Sequence, residues 1–276
     1  MNVTSLGYQT DFALLQYGGS TIDDRGDYWV IRSPHNPTFW WGNFLFLPSP
    51  PAESGAARWL DIFHEEFPEA EHVALGFDGK RCTVADVEGF IDLGLDAEAS
   101  TVMTASSVHP PARPNTSATY RPLSSDSDWE QFVELRMACI DPGHDRKGYE
   151  VFSRAQGQTR RDLIAQGRGQ WFGAFLDGQL VSQMGLFTAS EGLARFQSVE
   201  THPDFRGQGL AGSLVYEVSR YGFDQLGAHT LVMVADPDYL AIRVYRSVGF
   251  EDTESQLQVE RPVTIEPSGS GDGTAD

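Results

Sequence analysis

A glycine-rich segment, residues 201–218, has the residue types and spacing of an anion-binding loop. Gly207 and Gly209 allow backbone N–H groups to approach a ligand closely, and Arg206 beside them adds a fixed positive charge. An amphipathic run follows at once, and the unpaired N–H groups of a first helical turn attract phosphate. The sequence therefore predicts that a strand ends near His202 and that a phosphate or pyrophosphate binds where the next helix begins.

Two known phosphate motifs fit this segment poorly. A Walker-A loop needs G-K-[ST] after its spacer, and no lysine occurs near Arg206. Gly207, Gly209 and Gly212 satisfy G-x-G-x-x-G, but a dinucleotide-binding fold needs several βα units after this turn, and too little chain follows. A dinucleotide-dependent oxidoreductase is therefore kept only as the weaker alternative.

The segments around the loop alternate between helical and strand-like patterns. Helices are predicted at 124–140 and 149–167, followed by three strands whose turns contain Asp-Gly and Glu-Gly pairs. A helix, a strand, a second helix and a last strand follow, beginning with the helix that the loop opens. The order β-α-α-β-β-β-α-β-α-β implies a mixed sheet covered by helices, which is an α/β or α+β fold.

Together the loop and a second motif resemble the GNAT N-acetyltransferase superfamily. Residues 206–211 (RGQGLA) match its pyrophosphate loop [RQ]-x-x-G-x-[GA], which the chain enters through a strand and His-Pro. Residues 236–250 (DPDYLAIRVYRSVGF) are similar to its second motif, N-x-x-A-x-x-[LV]-Y-x-x-x-G-F, with Asp238 where the family often has Asn. The resemblance covers about the whole second half. It implies a sheet splayed between two strands, with acyl-coenzyme A in the gap.

This resemblance implies a site for acetyl-coenzyme A (acetyl-CoA). Backbone groups of the splayed strand would hydrogen-bond the pantetheine arm, and amides of the loop would hold the pyrophosphate. The residues that we assign to this site are Val199, Thr201, Arg206, Gly207, Gln208, Gly209, Leu210, Ala211 and Asp238.

The resemblance also implies two catalytic groups. Tyr245 matches the family's general acid, whose neutral hydroxyl can give a proton to the departing thiolate; packing on a helix is the alternative interpretation. Glu200 is the candidate base, or else a solvated strand residue or a clamp for the substrate ammonium. The commonest family glutamate lies earlier in this strand, at the position of Arg195. His202 is interpreted as a structural hydrogen-bonding residue.

The first half resembles the second in a degenerate form. An offset of 155 residues (249 − 94) aligns Gly94 with Gly249 and Phe90 with Tyr245, within similar patterns of helix, glycine stop and strand. Chance similarity of two ordinary helix-strand units is the alternative. Residues 51–56 (PAESGA) then stand where the loop lies, without its arginine or its first glycine. This half is therefore predicted to bind no coenzyme A and to pack against the active half.

The predicted fold is α/β, with an α+β mixed sheet, in two GNAT-like acyl-CoA N-acyltransferase domains in tandem, of which the first is degenerate. The proline-rich run 108–115 favours an extended linker. We therefore place the degenerate domain at 1–107, the linker at 108–117 and the acetyltransferase domain at 118–263. Residues 264–276, rich in Gly, Ser and Asp, are expected to form a disordered tail.

Composition argues against several classes of partner. Asp plus Glu number 39 against 20 for Lys plus Arg, and a net charge of −19 repels phosphate backbones and anionic lipids. Cys82 and Cys139 form no metal-binding pattern, and the chain shows neither a signal-peptide pattern nor an apolar run of membrane-spanning length. We therefore expect a cytoplasmic protein without metal, nucleic-acid partner or membrane partner. Its oligomeric state is left open, with a homodimer as one arrangement.

The sequence thus predicts a GNAT-type N-acetyltransferase that uses acetyl-CoA as acyl donor and acetylates the amine of a small molecule or peptide. A rival function is a non-catalytic module that binds acyl-CoA as a regulatory ligand. Asp238 in the asparagine position and the missing early glutamate support that rival.

Overall fold

The computed structural model describes residues 2–140 and 145–262. The predicted tail, 264–276, lies outside the described residues. Within the described ranges the chain forms seven α-helices. Their bounds are α1 Leu6–Tyr17, α2 Ala56–Glu66, α3 Glu88–Ile91, α4 Asp126–Cys139, α5 Arg146–Ala165, α6 Leu210–Asp224 and α7 Ala241–Arg246. None of them combines the length and apolarity needed to cross a membrane.

Eleven strands of the described residues join in one continuous mixed sheet. They are β1 Thr21–Asp24, β2 Trp29–Arg32, β3 Phe44–Leu47, β4 His72–Phe77, β5 Asp96–Ala105, β6 Thr119–Pro122, β7 Gly169–Leu176, β8 Gln179–Ser190, β9 Leu193–Thr201, β10 Thr230–Ala235 and β11 Glu251–Pro262. Their order across the sheet is β1-β2-β3-β4-β11-β5-β10-β9-β8-β7-β6. The predicted α/β class with a mixed sheet is therefore confirmed.

Helices cover both faces of this sheet because its inner strands are apolar on both sides. In β3, Phe44 and Phe46 pack with α1, while Leu45 and Leu47 pack with α2 and α3 on the opposite face. In the second half α4 and α5 lie on the α1 face, and α6 and α7 lie on the α2 face. The Ser125 capping box, in which Asp128 accepts from the N-cap amide, fixes the start of α4.

The two halves repeat one pattern of strand pairing. β1, β2 and β3 pair antiparallel in succession and β3 pairs parallel with β4; β7, β8, β9 and β10 pair in the same way. The aligned glycines Gly94 and Gly249 both take positive φ, 80° and 113°, after a short helix. The aligned aromatics Phe90 and Tyr245 are both buried. That the first half is a degenerate copy stays a prediction.

Each half contributes its last strand to the other half's part of the sheet. β11 lies between β4 and β5, and β5 lies between β11 and β10. The two exchanged strands pair with each other antiparallel, for example through Gln256 and Ser100. Sequence analysis predicted two halves that pack together and did not predict this exchange. The division at 107 and 118 stays a prediction, and residues 106–118 form neither helix nor strand.

Candidate functional site

A cleft opens where β9 and β10 separate. The two strands pair in parallel only through residues 193–195 and 230–232, so residues 196–201 have no partner on β10. A bulge bends β9 here, since Gln183 of β8 faces Glu200 while Gly185 faces Gln197. Ser198 within the bulge has φ 45°, which is left-handed and rare for a residue other than glycine. The bulge and the lost pairing hold the cleft open.

The cleft contains a cavity of about 220 Å³ between the diverging strands and α7. Phe196 and Val199 of β9, Met233 of β10, and Ile242 and Tyr245 of α7 supply most of its apolar wall. Such a slot, walled by apolar side chains and by strand backbone without a partner strand, suits an extended chain that can also form hydrogen bonds. Val199, predicted to contact a pantetheine arm, lies in this wall.

The glycine-rich loop lies at the end of the cleft where β9 leads into α6. Gly207 and Gly209 have φ of 76° and 75°, values that only glycine adopts without strain. Among the described residues, no acceptor receives a hydrogen bond from the backbone N–H groups of residues 207–212. Residues 206–208 are exposed, so these amides remain accessible at the N-terminus of a fifteen-residue helix. Accessible amides at a helix N-terminus are the donors that an anion site uses, and phosphate binding at this loop stays a prediction.

The segment between the halves supports the loop. The side-chain amide of Asn115 donates to the Gln208 carbonyl at 3.0 Å, and its backbone N–H donates to Ser213 Oγ at 2.8 Å. A Cβ on Gly209 would lie 2.5 Å from the Arg113 carbonyl oxygen. Sequence analysis recognised this segment only as a linker, because nothing in a proline-rich pattern indicates which surface it will contact.

Arg206 and Thr201 interact at the outer end of the cleft. Arg206 Nε donates to the Thr201 carbonyl at 3.1 Å, which orients the guanidinium beside the loop. The Cys139 thiol donates to the same carbonyl at 3.5 Å. Thr201 therefore offers a carbonyl that protein donors already occupy, and its predicted contact to a pantetheine arm stays a prediction.

Tyr245 projects from α7 into the cavity. The residue is 5% exposed, and its hydroxyl makes no hydrogen bond to a described residue. Burial, with Tyr239 nearby, raises the pKa of the Tyr245 hydroxyl well above its ordinary value. The group is therefore protonated at neutral pH and can donate a hydrogen bond or a proton to a molecule in the cavity.

Glu200 contacts a different set of residues from Tyr245. Its Oε2 accepts from Gln183 Nε2 at 2.7 Å, and its Oε1 lies 3.8 Å from Arg136 Nε of α4. Gln183 is itself fixed, because it also donates to the Phe132 carbonyl at 3.3 Å. The structure thus places Glu200 toward α4 and does not bring it into the cavity that Tyr245 lines.

Two residues that sequence analysis did not assign, Arg136 and Gln183, hold the Glu200 carboxylate. The Arg136 guanidinium lies over the rings of Tyr149 and Phe152, each 5.5 Å from its centre, and donates to the Tyr149 hydroxyl at 3.1 Å. Arg136 could have been found from the sequence, because an arginine among the apolar residues of a helix is an unusual pattern. Gln183, in a continuous buried strand, carries no such signal.

The remaining predicted positions lie around the cleft. Asp238 is exposed in the turn before α7, and its amide donates to Asp236 Oδ1 at 2.8 Å; Asp236 rather than Asp238 lines the cavity. His202 Nδ1 accepts from the Asp204 amide at 3.3 Å and so caps the turn. Within the described residues, no group of three His, Cys, Asp or Glu side chains is placed to hold a metal ion.

Comparison with protein families matches residues 129–250 to the acetyltransferase (GNAT) family. This range contains the diverging strands, the glycine-rich loop, Glu200 and Tyr245. Residues 129–250 form a GNAT-family domain. The family resemblance inferred from the two motifs is therefore confirmed for this part of the chain.

The whole chain shares its fold with solved GNAT structures. It is similar to a GCN5-related N-acetyltransferase from Kribbella flavida, with 15% identity, a TM-score of 0.63, and coverage of 94% of this chain and 96% of that one. It is also similar to a tandem GNAT protein from the clavulanic acid biosynthesis pathway, with 14% identity, a TM-score of 0.56, and coverage of 94% and 89%. A comparison with curated proteins found no match in sequence. At these identities the likeness is one of fold.

In the part of the first half that corresponds to the GNAT cleft, the two parallel strands do not separate. β3 and β4 remain paired to their last residues, Leu47 and Phe77, and the Asp78 N–H extends the pairing by donating to the Leu47 carbonyl at 2.9 Å. A Cβ on Gly89 would lie 2.5 Å from the Glu53 carbonyl oxygen, so α3 packs tightly on residues 53–55. Unlike the GNAT domain, this half has no gap between its parallel strands.

Proposed function

We propose that the chain is an N-acetyltransferase whose GNAT domain binds acetyl-CoA in the cleft between β9 and β10 and transfers the acetyl group to an amine. The observation that carries the proposal is the coincidence of a splayed strand pair with unpartnered loop amides at its outer end. In the first half the corresponding strands, β3 and β4, stay paired to their ends, and residues 51–56 lack the arginine and the first glycine of the loop. Family membership of residues 129–250 supports the same reaction class.

The loop supplies the site for the pyrophosphate. Amides of residues 207–212 have no protein acceptor among the described residues, so a diphosphate would meet donors that no protein group occupies and that lie at the start of α6. Arg206 adds a positive charge in a chain of net charge −19, where other acidic surface would repel the ligand. Arg206, Gly207, Gln208, Gly209, Leu210 and Ala211 are accordingly proposed to hold this group.

The diverging strand supplies the site for the pantetheine arm. Val199 and Thr201 follow the bulge of β9 and have no partner on β10. An extended arm laid in the gap would pair with the Val199 backbone like an added strand, and at the Thr201 carbonyl it would compete with the donors Arg206 and Cys139. When bound, acetyl-CoA supplies a thioester whose sulfur must receive a proton as the acetyl group leaves.

Tyr245 is proposed to donate that proton. The raised pKa keeps its hydroxyl protonated, and the absence of a hydrogen-bond partner among the described residues leaves the hydroxyl available to a group in the cavity. Its burial also excludes water from the side of the cleft where a thiolate would develop.

Glu200 is proposed to receive the proton of the acceptor ammonium, directly or through a water. Gln183 and Arg136 hold its carboxylate on the face of α4, which is the face opposite α7. An acceptor amine would thus approach from the α4 side, while the acyl donor lies against α7. A small molecule and a peptide both remain open as acceptors.

The first half is proposed to bind no coenzyme A, because its parallel strands are paired to their ends and residues 51–56 lack the loop motif. We also propose a cytoplasmic location, which suits two free thiols at Cys82 and Cys139. The dinucleotide alternative is disfavoured, because only β3–β4 and β9–β10 pair in parallel in the described sheet.

A ligand panel tests the donor site on the full chain. Acetyl-CoA and coenzyme A are each expected to raise the Tm, and NAD and NADP are expected to leave it unchanged. Arg206→Gln should weaken the shift, whereas Arg220→Gln, an exposed arginine of α6, should not. A shift with NAD alone would overturn the donor assignment. A coenzyme A shift without thiol release, across a screen of amines, would favour the regulatory binding module.

A further inference from the structure

A second cavity of about 140 Å³ lies between the two halves, on the sheet face covered by α1 and α5. The first half contributes α1 and residues near Ser33, and the second half contributes Arg160 of α5, Gln197 of β9 and Gln256 of β11. It is separate from the cavity that Tyr245 lines, although β9 borders both. This cavity exists only because the halves share one sheet.

Arg160 gives this cavity a positive charge. One guanidinium nitrogen, Nη2, donates to Gln197 Oε1 at 2.9 Å, and in the described residues the group forms no ion pair. Asp11 also lines the cavity, but its carboxylate is already bound by Arg195 at 3.0 Å and by Gln256 Nε2 at 2.9 Å. Burial, together with the charge of Arg136, lowers the pKa of Arg160 to about 10, which still leaves it cationic at neutral pH.

A buried amide without a partner lies beside this cation. Gln156, one helical turn before Arg160 on α5, is 6% exposed and lines the cavity. Its side-chain amide makes no hydrogen bond to a described residue. The Arg160 guanidinium and the Gln156 amide therefore offer both donors and an acceptor to a ligand in the cavity.

We propose that this cavity binds a small carboxylate that carries a hydroxyl or amino group on the neighbouring carbon. The carboxylate accepts from Arg160, and the second polar group pairs with the Gln156 amide. Its volume sets the size, since a cavity of roughly 150 Å³ holds a molecule of about six non-hydrogen atoms. L-Lactate and L-alanine have this size and these groups.

The proposal does not rest on acyl transfer, because binding is measured on the full chain without acetyl-CoA. The probes are L-lactate and L-alanine, with L-lactamide as an uncharged probe of the same shape and inorganic phosphate as a simple anion. At least one of the two carboxylates should raise the Tm and give heat in calorimetry, and lactamide should do neither. Absence of any carboxylate effect on the wild type overturns the site, and equal binding of phosphate overturns the ligand class.

Arg160→Gln should weaken carboxylate binding roughly ten- to hundred-fold, as expected for the loss of a charge-assisted hydrogen bond. Arg161→Gln is the matched control, because Arg161 is the next residue of α5 and pairs with exposed Asp126 on the surface. Wild-type affinity in Arg160→Gln rejects the site. If Arg160→Gln does not fold, Gln156→Met keeps the cation and should still weaken binding; unchanged binding in that variant rejects the role of Gln156 in the site.

Discussion

The guanidinium of Arg195 on β9 forms an ion pair with the carboxylate of Asp11 on α1, with 3.0 Å between Nη2 and Oδ1. Arg195 also donates from Nη1 to Thr10 Oγ1 at 3.1 Å. Arg195 occupies the position at which the GNAT resemblance implies a glutamate. In this chain that position therefore joins the two halves through an ion pair. A base for the proposed reaction must therefore come from another position, and Glu200 is the one that we propose.

Replacing Asp11 by Asn should lower the free energy of unfolding by about 2–3 kcal/mol, because it leaves the Arg195 charge 8% exposed without its counter-ion. Urea unfolding followed by circular dichroism measures the change. Glu130→Gln is the control, since Glu130 and Arg154 are 62% and 49% exposed and such pairs contribute little. Equal effects of the two variants would show that the buried pair does not stabilise the junction.

Gly209→Ala should damage the loop more than Gly207→Ala. Both residues have positive φ, which costs roughly 1–2 kcal/mol for alanine. Only at Gly209 does the added Cβ meet backbone, the Arg113 carbonyl, whereas Gly207 has open space around it. Gly209→Ala should have a lower Tm than Gly207→Ala in differential scanning calorimetry and a weaker affinity for acetyl-CoA in titration. The reverse order would contradict the packing of the linker on the loop.

Tyr245→Phe should reduce kcat about 100-fold or more and leave acetyl-CoA affinity near normal, as loss of a general acid would. Tyr221→Phe is the matched control, because burial also raises the pKa of Tyr221 and its ring packs against Phe172 away from the cavity. Since burial raises the Tyr245 pKa above its ordinary value, the wild-type rate should show no loss from tyrosine deprotonation up to about pH 10. Equal turnover in Tyr245→Phe would remove this residue from the chemistry.

Glu200→Gln distinguishes two roles of Glu200, removal of the proton of the acceptor ammonium and binding of that ammonium. If Glu200 removes the proton of the acceptor ammonium, kcat should fall at neutral pH and recover at high pH, where the amine is already neutral. If it only holds the ammonium, KM should rise while kcat changes little. Initial rates from pH 6 to pH 10 measure both, with Glu134→Gln of the exposed face of α4 as control. Unchanged kinetics would leave Glu200 as a strand residue held by Gln183 and Arg136.

Glu66→Gln should make the free energy of unfolding less dependent on pH at acidic pH. Hydrogen bonds from Arg25, Arg32 and Tyr28 lower the pKa of Glu66 to about 2. They outweigh the desolvation of this carboxylate, which is 16% exposed and whose pKa burial alone would raise. Its stabilising effect, of order 2–3 kcal/mol, is therefore present above pH 4.5 and lost as the pH falls toward 2. Urea midpoints between pH 6 and pH 2 measure it. Glu65→Gln, at the adjacent exposed position, should keep the wild-type slope.

Local chemistry made much of the site predictable. The glycines at 207 and 209 carry their backbone preference in their type, and the helices that follow the loop carry apolar periodicity, so the loop and its helix could be placed from sequence. Gly249, which takes positive φ after α7, and the buried Tyr245 could be predicted in the same way, from glycine preference and apolar periodicity.

Long-range contacts could not be placed in this way. Whether Ser100 faces Gln256 or a strand of its own half depends on the relative positions of distant segments, and strand composition is the same in either case. The contacts of Glu200 with Gln183 and Arg136, and of Asn115 with the loop, join residues separated by 17 to 93 positions. No pattern within one segment contains that information.

The exchange of β5 and β11 places a constraint on how the first half can vary. Substitutions in β5 act on the strand that lies directly beside β10, and β10 is one wall of the cleft that Tyr245 lines. The backbone register of residues 96–105 therefore fixes the position of that wall, so the cleft of the second half is built partly on a strand of the first.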